Sequence, residues 1–120
     1  MGAKALNHVA IVVDDIEKAN QFYGRLLRLR QLERPPEVIA GGPGAWYKLG
    51  NRQLHIFVGP GARETSIRHF GLVVEGMDTL VERLRAAGFE LEDAFSFGEF
   101  KRRKFVRDPF GNLIELMSQE

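Results

Sequence analysis

The sequence has 120 residues, a formal net charge of +1 and no cysteine. This length suits one ordinary domain with a sizeable core, and 44% hydrophobic with 28% charged residues is typical of a folded protein. The near-zero charge gives no general attraction to nucleic acid or acidic membranes, and without cysteine any metal must be held by nitrogen and oxygen ligands. With neither a signal-peptide pattern nor a long apolar segment, we expect a cytoplasmic location and no membrane partner.

The first half of the chain predicts a β-α-β-β-β unit. A run rich in β-branched residues predicts a strand over 6–13, and apolar residues at helical spacing after Asp14 and Asp15 predict a helix over 15–28. Two prolines at 35–36 break the chain, and 37–40 is a candidate short strand. A hairpin is expected from strands 45–49 and 53–58.

The second half predicts the same order of elements. A strand is expected over 68–74, a helix over 78–87 ended by Gly88, a strand over 89–93, and a hairpin of 101–107 and 112–117 across the turn 108–111. The fold class is therefore α+β, with tandem βαβββ modules in a single domain. Module one is expected over 6–58, a linker over 59–66 and module two over 67–118.

Metal-ligand residue types recur at the same two places in each half. His8 and His69 open equivalent strands 61 residues apart, and His55 and Glu115 lie in equivalent strands 60 residues apart. Imidazole and carboxylate are ligands that borderline divalent cations prefer. A single strand histidine is most often an ordinary core or surface residue, but this joint pattern uses all three histidines of the chain.

Strand alternation predicts where these four side chains point. The bulkier apolar residues of each strand share one face and can pack on a helix, which leaves the four polar residues on the opposite face. The small residues Ala10 and Gly71 lie on that face and leave room for a ligand. A carboxylate among apolar neighbours, as at Glu115, is costly to bury without a partner. The sequence therefore predicts a metal site formed by His8, His55, His69 and Glu115.

Two segments resemble the vicinal oxygen chelate superfamily of glyoxalases, bleomycin- and fosfomycin-resistance proteins and extradiol dioxygenases. They are 7–15 with Phe22 and Tyr23, and 107–116, within a resemblance that spans roughly 6–118. It implies paired modules whose curved mixed sheets enclose one divalent metal ion, Zn, Ni, Fe or Mn. It also implies that His8, His69 and Glu115 match the usual ligand positions and His55 the remaining one.

The resemblance implies a metal-dependent lyase or isomerase of the glyoxalase type. Its metal would chelate adjacent oxygens of a small-molecule substrate and stabilise an enediolate or oxyanion. Glyoxalase I-like members often carry Glu or Gln at the position of His55, so His55 is either a ligand or a base, and Glu115 and His55 are the catalytic candidates. The alternatives are an extradiol-type dioxygenase, an antibiotic-modifying thiol transferase of the fosfomycin-resistance kind, and a metal-free binding protein of the bleomycin-resistance kind.

Three further residues are candidates for substrate binding. Trp46 and Lys48 share a face of the strand that pairs with that of His55, and Arg103 belongs to the basic run 101–104. That run is either a solvated edge or the lining of an anionic substrate site. Phe95, Phe97 and Phe100 form either an apolar lid or a core or dimer contact. Relatives of this size imply a homodimer with a site shared across the interface.

Overall fold

The structure is a computed structural model that describes residues 1–60 and 65–120. The described chain forms two compact units, the first ending at residue 60 and the second beginning at residue 65. Residues 61–64 of the predicted linker 59–66 lie outside the described residues.

The first unit contains one four-stranded mixed sheet. Its strands follow the order β1-β4-β3-β2, in which β1 and β4 are parallel and the other pairs antiparallel. In chain order the elements are β1 (His8–Val13), α1 (Ile16–Ala19), a π-helical segment (Asn20–Leu26), β2 (Gln31–Leu32), α2 (Pro36–Ile39), β3 (Gly44–Leu49) and β4 (Arg52–Val58).

The second unit repeats this strand arrangement, and α3 is the one helix among its described residues. Its sheet has the order β5-β8-β7-β6, again with the first pair parallel and the others antiparallel. The elements are β5 (His69–Val73), α3 (Met77–Ala86), β6 (Leu91–Ala94), β7 (Arg102–Arg107) and β8 (Leu113–Ser118). The predicted α+β class with two βαβββ repeats is confirmed.

Each sheet buries one face, as the alternation of its strands predicts. Leu54 and Ile56 of β4 and Ile114 and Leu116 of β8 are at most 2% exposed. Burial of these side chains turns their strand neighbours, including His55 and Glu115, to the opposite face. The helix that follows β1 begins where Asp15 accepts hydrogen bonds from the backbone N–H groups of Glu17 and Lys18.

The prediction of a short strand over 37–40 is wrong, because this segment lies in the helix α2. Pro36 stands at the first position of that helix, where its fixed φ suits helical geometry and its missing N–H costs no hydrogen bond. The second strand of the first unit is instead β2, which lies before the two prolines and pairs with β3.

A tight turn between β7 and β8 fixes the register of Glu115. The side chain of Asp108, which is buried, accepts hydrogen bonds from the backbone N–H groups of Phe110 and Asn112. The Asp108 N–H donates to the carbonyl of Asn112, which closes the hairpin. Across the described residues, no helix combines the length and apolar character needed to cross a membrane.

Candidate metal centre

The second unit brings two of the predicted ligands into contact. Glu115 of β8 pairs with Gly71 of β5, two residues after His69. The imidazole Nε2 of His69 lies 3.1 Å from Oε1 of Glu115, and Glu115 is only 5% exposed. The other ring nitrogen of His69, Nδ1, donates to the backbone carbonyl of Ile67 at 2.9 Å.

The hydrogen bond to Ile67 determines which nitrogen of His69 can bind a metal. A carbonyl oxygen only accepts, so Nδ1 carries the proton, and in the neutral ring Nε2 holds the unshared electron pair. When the ring is protonated, Nε2 instead donates to Oε1 of Glu115 and the two groups form an ion pair. Two donor atoms on neighbouring positions of one ion, each about 2.0–2.2 Å from it, are separated by roughly 3 Å. The His69–Glu115 separation therefore matches a pair of ligands to one cation.

Arg103 holds the second oxygen of Glu115. Its Nε donates to Oε2 at 2.7 Å, and its NH1 group donates to the backbone carbonyl of Phe95 at 2.5 Å. The hydrogen bond from Arg103 is the largest cause that holds the pKa of Glu115 below its ordinary value, while burial opposes it. Glu115 is therefore an anion at neutral pH, with one oxygen fixed by Arg103 and the other turned to His69.

Aromatic rings surround the guanidinium of Arg103. The ring of Phe97 lies 4.5 Å from its central carbon, that of Phe95 5.5 Å and that of Phe105 5.9 Å. Phe95 and Phe97 are themselves 81% and 52% exposed. Arg103 thus joins an exposed aromatic segment to the candidate ligand Glu115.

Gly71 lies against the side chain of Met117 in β8. A Cβ at position 71 would lie 3.0 Å from Sδ of Met117 and 3.9 Å from Cβ of Glu115. A larger residue there would require the flexible side chain of Met117 to move, whereas its contact with Glu115 would be ordinary. The small residue predicted on the face of His69 therefore leaves room for the side chain of Met117.

The first unit brings the other two candidates together in a stack of rings. Trp46 lies opposite His55 in the register of β3 and β4, and their rings are parallel with centroids 3.9 Å apart. The ring of His8 covers the other face of His55 with centroids 4.1 Å apart. Lys48 is exposed on the same face of β3.

Amide side chains fix one nitrogen of each ring in this pair. Nδ1 of His8 donates to Oδ1 of Asn7 at 2.9 Å, and Nε2 of His55 donates to Oε1 of Gln53 at 2.8 Å. Nε2 of His8 and Nδ1 of His55 therefore hold the unshared pairs in the neutral rings. Burial, with a smaller contribution from the neighbouring His8, lowers the pKa of His55 below its ordinary value.

The structure pairs the predicted residues two by two. His69 lies with Glu115 and His8 with His55, and within residues 1–60 and 65–120 no three His, Asp or Glu side chains gather to hold a metal ion. Sequence reasoning missed Gln53 as the partner of His55. The sequence could have predicted this contact, because Gln53 lies two residues before His55 in the same strand and therefore on the same face.

The basic run 101–104 is largely committed to ion pairs. Arg102 pairs with Asp78 at 2.6 Å, Lys104 pairs with Asp93, and Arg103 pairs with Glu115. Alternation along β7 sends Arg103 to the face of the candidate ligands and its two neighbours away from it. Of the four residues in the basic run, Arg103 is therefore the one that contacts Glu115.

Comparison with known proteins places the chain in a family. The model of the Glyoxalase/Bleomycin resistance protein/Dioxygenase superfamily matches residues 5–116. A solved structure assigned to the glyoxalase family, from Bacillus anthracis, shares 29% identity and a TM-score of 0.85, with 100% of this chain and 98% of that chain covered.

Fosfomycin resistance proteins share the fold at lower identity. A FosX variant from Listeria monocytogenes, solved with Mn(II) and a dihydroxypropylphosphonic acid, has 17% identity and a TM-score of 0.81 over 98% of this chain and 93% of that chain. FosX from Mesorhizobium loti has 16% identity and a TM-score of 0.74, with 97% and 92% covered. Among curated proteins none matches. From the family match over nearly its whole length, the chain belongs to the glyoxalase/bleomycin resistance protein/dioxygenase superfamily.

Proposed function

We propose that this protein is a metal-dependent enzyme that acts on a small molecule with two adjacent oxygens. His8, His69 and Glu115 are the proposed ligands of one divalent ion. The observation that carries the proposal is the His69–Glu115 pair, in which the imidazole Nε2 and a carboxylate oxygen face each other at 3.1 Å while Nδ1 is held by a carbonyl. A cation between these two groups removes a repulsion that the neutral ring would otherwise suffer.

The donor set suits a divalent ion of the borderline class. Two imidazoles and one carboxylate bind Zn, Ni, Fe or Mn, so the set defines the class of ion without naming one. Such an ion, when bound, would polarise the substrate oxygens and stabilise negative charge that develops on them. Arg103 would hold Glu115 in its ligating orientation, and Trp46 and Lys48 are proposed to contact substrate.

The proposed reaction is a proton shift of the glyoxalase type, next to a polarised carbonyl. It needs a base with an unshared pair, and His55 provides one at Nδ1 because its other nitrogen is engaged by Gln53. Glu115 is the alternative base, but both of its oxygens already have partners. We therefore assign the base to His55.

A fosfomycin-resistance activity is the second candidate, since a FosX variant similar in fold was solved with Mn(II) and a phosphonic acid. A phosphonate needs cations, and two basic residues on the candidate faces, Arg103 and Lys48, differ in their availability. Arg103 is 9% exposed and already paired with Glu115, whereas Lys48 is exposed. The commitment of Arg103 makes this candidate the weaker of the two.

We further propose that the protein is a cytoplasmic homodimer, with the metal site completed by the partner's module. The support is that each unit alone supplies only two candidate side chains in contact. Light scattering of the purified full chain gives its mass directly. A mass of 13.6 kDa, that of one chain, would contradict the dimer.

Metal analysis of the full chain, purified without added metal and after loading with Mn²⁺ or Zn²⁺, tests the site. We expect about one ion per chain in the wild type and almost none in Glu115→Gln, which keeps the size of the side chain but removes its charge. The matched control is Glu92→Gln, an exposed carboxylate of the same unit. Equal metal content in Glu115→Gln and the control would exclude the site.

Three small probes separate the candidate reactions in the metal-loaded enzyme. Exchange of the α-hydrogens of dihydroxyacetone for deuterium, followed by proton NMR, reports the proton shift. Loss of fosfomycin, followed by phosphorus NMR with and without a thiol, reports the second candidate. Fosfomycin loss without exchange would replace the proposed reaction, and oxygen uptake with catechol and Fe²⁺ would point to a dioxygenase instead.

A further inference from the structure

The ring stack of the first unit constrains what His55 can do. His55 lies between Trp46 and His8, with interplanar angles of 1° and 17° and centroid distances of 3.9 and 4.1 Å. Its relative exposure is 8%, so the ring is enclosed on both faces. The hydrogen bond from Nε2 to Gln53 holds the ring against rotation within this stack.

Stacking prevents two imidazoles from sharing an ion. The unshared pair of an imidazole nitrogen lies in the plane of the ring, so a bound ion lies near that plane, about 2.0–2.1 Å from the nitrogen. The planes of His8 and His55 are inclined by only 17° and separated by nearly the full stacking distance. Such planes meet only far outside bonding distance, so no ion can lie in both at once.

One of the two histidines must therefore be excluded from the ion. His8 is the exposed ring of the pair, and its Nδ1 is anchored by its sequence neighbour Asn7. That anchor is of the kind that metal-binding histidines use to fix their tautomer and orientation. His55 is only 8% exposed and its Nε2 is held by Gln53, so it is the less accessible ring of the two to an ion.

We propose that the assigned base His55 is not also a metal ligand, and that its stacked ring holds His8 in orientation. This inference rests on the proposed metal site and gives a physical reason why its protein ligands are His8, His69 and Glu115 without His55. His55 then keeps Nδ1 free of the ion. With three protein ligands, more of the ion's positions remain for substrate oxygens than with four.

Titration calorimetry of the full-length chain with Mn²⁺ tests the inference through three variants. His8→Phe removes a ligand and keeps a ring, and its affinity should fall more than 100-fold. His55→Phe also keeps a ring but removes both nitrogens, and its affinity should stay within about threefold of the wild type. His55→Ala removes the ring support, and its affinity should fall about tenfold, as for other residues that orient a ligand.

The only tryptophan of the chain provides a readout that does not depend on metal. The emission of Trp46 should shift to longer wavelength in His55→Ala, because the indole face becomes exposed, and should shift little in His55→Phe. Circular dichroism melting confirms that each variant is folded. If His55→Phe fails to fold, His55→Tyr replaces it, and if His55→Ala fails to fold, His55→Leu replaces it. The variant that keeps a ring should again retain its affinity, and the one without a ring should lose it.

The outcomes separate this inference from the proposed function. A loss of affinity in His55→Phe as large as in His8→Phe would make His55 a ligand and overturn the inference alone. Equal affinities of His55→Ala and His55→Phe, with no difference in Trp46 emission, would overturn the positioning role. Absence of Mn²⁺ binding by the wild type would overturn the proposed function and this inference together.

Discussion

The two units carry the same backbone plan but different chemistry on their open faces. The first strand of each unit starts with a histidine, His8 or His69. The last strand, which pairs with it, carries the other polar residue, His55 or Glu115. In the first unit the polar residue is held by stacked rings and a glutamine. In the second it is held by a guanidinium and an imidazole.

One position on the third strand explains much of this difference. Trp46 and Phe105 are equivalent, since they pair with His55 and Glu115 in the registers of their sheets. Two residues before each of them stand Gly44 and Arg103. The first unit has no side chain at this position, so His55 meets only rings and an amide. The second has a cation there, which keeps Glu115 charged. Duplication thus preserves where a side chain points, while a neighbour on the next strand decides its charge.

Arg103→Met removes the cation that distinguishes the second unit from the first. Of the changes that test this comparison of the two units, it should have the largest effect. Methionine keeps much of the packing against the phenyl rings but leaves Oε2 of Glu115 without its cation. We expect Mn²⁺ affinity to fall about 10–100-fold, as for other residues that orient a metal ligand. The melting temperature should also fall, because one oxygen of a buried carboxylate loses its cationic partner.

The matched control for this variant is Lys101→Met. Lys101 belongs to the same basic run and is exposed at its start. Its replacement removes the same formal charge without touching Glu115, so affinity should stay near the wild-type value. Similar losses in both variants would mean that only the overall charge of the run matters.

An alkaline loss of stability should be specific to the first unit. Burial raises the pKa of Tyr47 from 10.0 to about 12, and its hydroxyl donates to Asn20. The equivalent residue of the second unit is Val106, which does not titrate. Because the folded pKa lies above the unfolded one, the stabilisation is complete below pH 10 and is lost between pH 10 and about 12.

Urea unfolding of the wild type and Tyr47→Phe over this pH range measures the effect. A difference of two pKa units corresponds to about 2–3 kcal/mol at pH 12. Between pH 10 and 12 the free energy of unfolding should fall by this amount more in the wild type than in Tyr47→Phe. Below pH 10 the variant should be about 1 kcal/mol less stable than the wild type, because its hydrogen bond is missing. Parallel pH profiles would show that the hydroxyl titrates as freely as in the unfolded chain.

The sequence was sufficient for the fold because its two halves repeat the same periodicity. Strand alternation predicted the buried faces of β4 and β8, and the helices and hairpins follow the predicted order. The exception was 37–40, where β-branched residues suggested a strand but Pro36 begins a helix. Propensity over four residues is a weak signal, and the preceding proline pair outweighed it.

The candidate site was only partly readable from the sequence. Alternation predicts that His55 and Glu115 point to an open face, but not which side chains meet them from other strands. The Arg103–Glu115 pair depends on the register of β7 and β8, which the turn at Asp108 sets. The stacking of His8 on His55 depends on ring rotation, which no residue pattern encodes. The partners of His55 and Glu115 therefore depend on contacts between strands, which the periodicity of the sequence does not predict.

The smallest predicted effect concerns how the main helix of each unit ends. In the second unit Gly88 takes the left-handed conformation with φ 93°, and in the first unit Arg28 takes it with φ 58°. A side chain in this region costs about 1–2 kcal/mol, whereas glycine adopts it without that cost. Glycine also loses more freedom on folding, so Arg28→Gly should raise the free energy of unfolding by only about 0.5–1 kcal/mol.

The reverse change at the second unit completes this test. Gly88→Ala should lower the free energy of unfolding by about 1 kcal/mol, because alanine must adopt the strained conformation there. Urea unfolding measures both variants, with Arg25→Gly within the first unit's π-helical segment as the control that should destabilise. A gain at Arg28 with a loss at Gly88 would mean that the first unit tolerates a strained helix end that the second avoids. Losses at both would mean that Arg28 makes a stabilising contact that offsets its backbone strain.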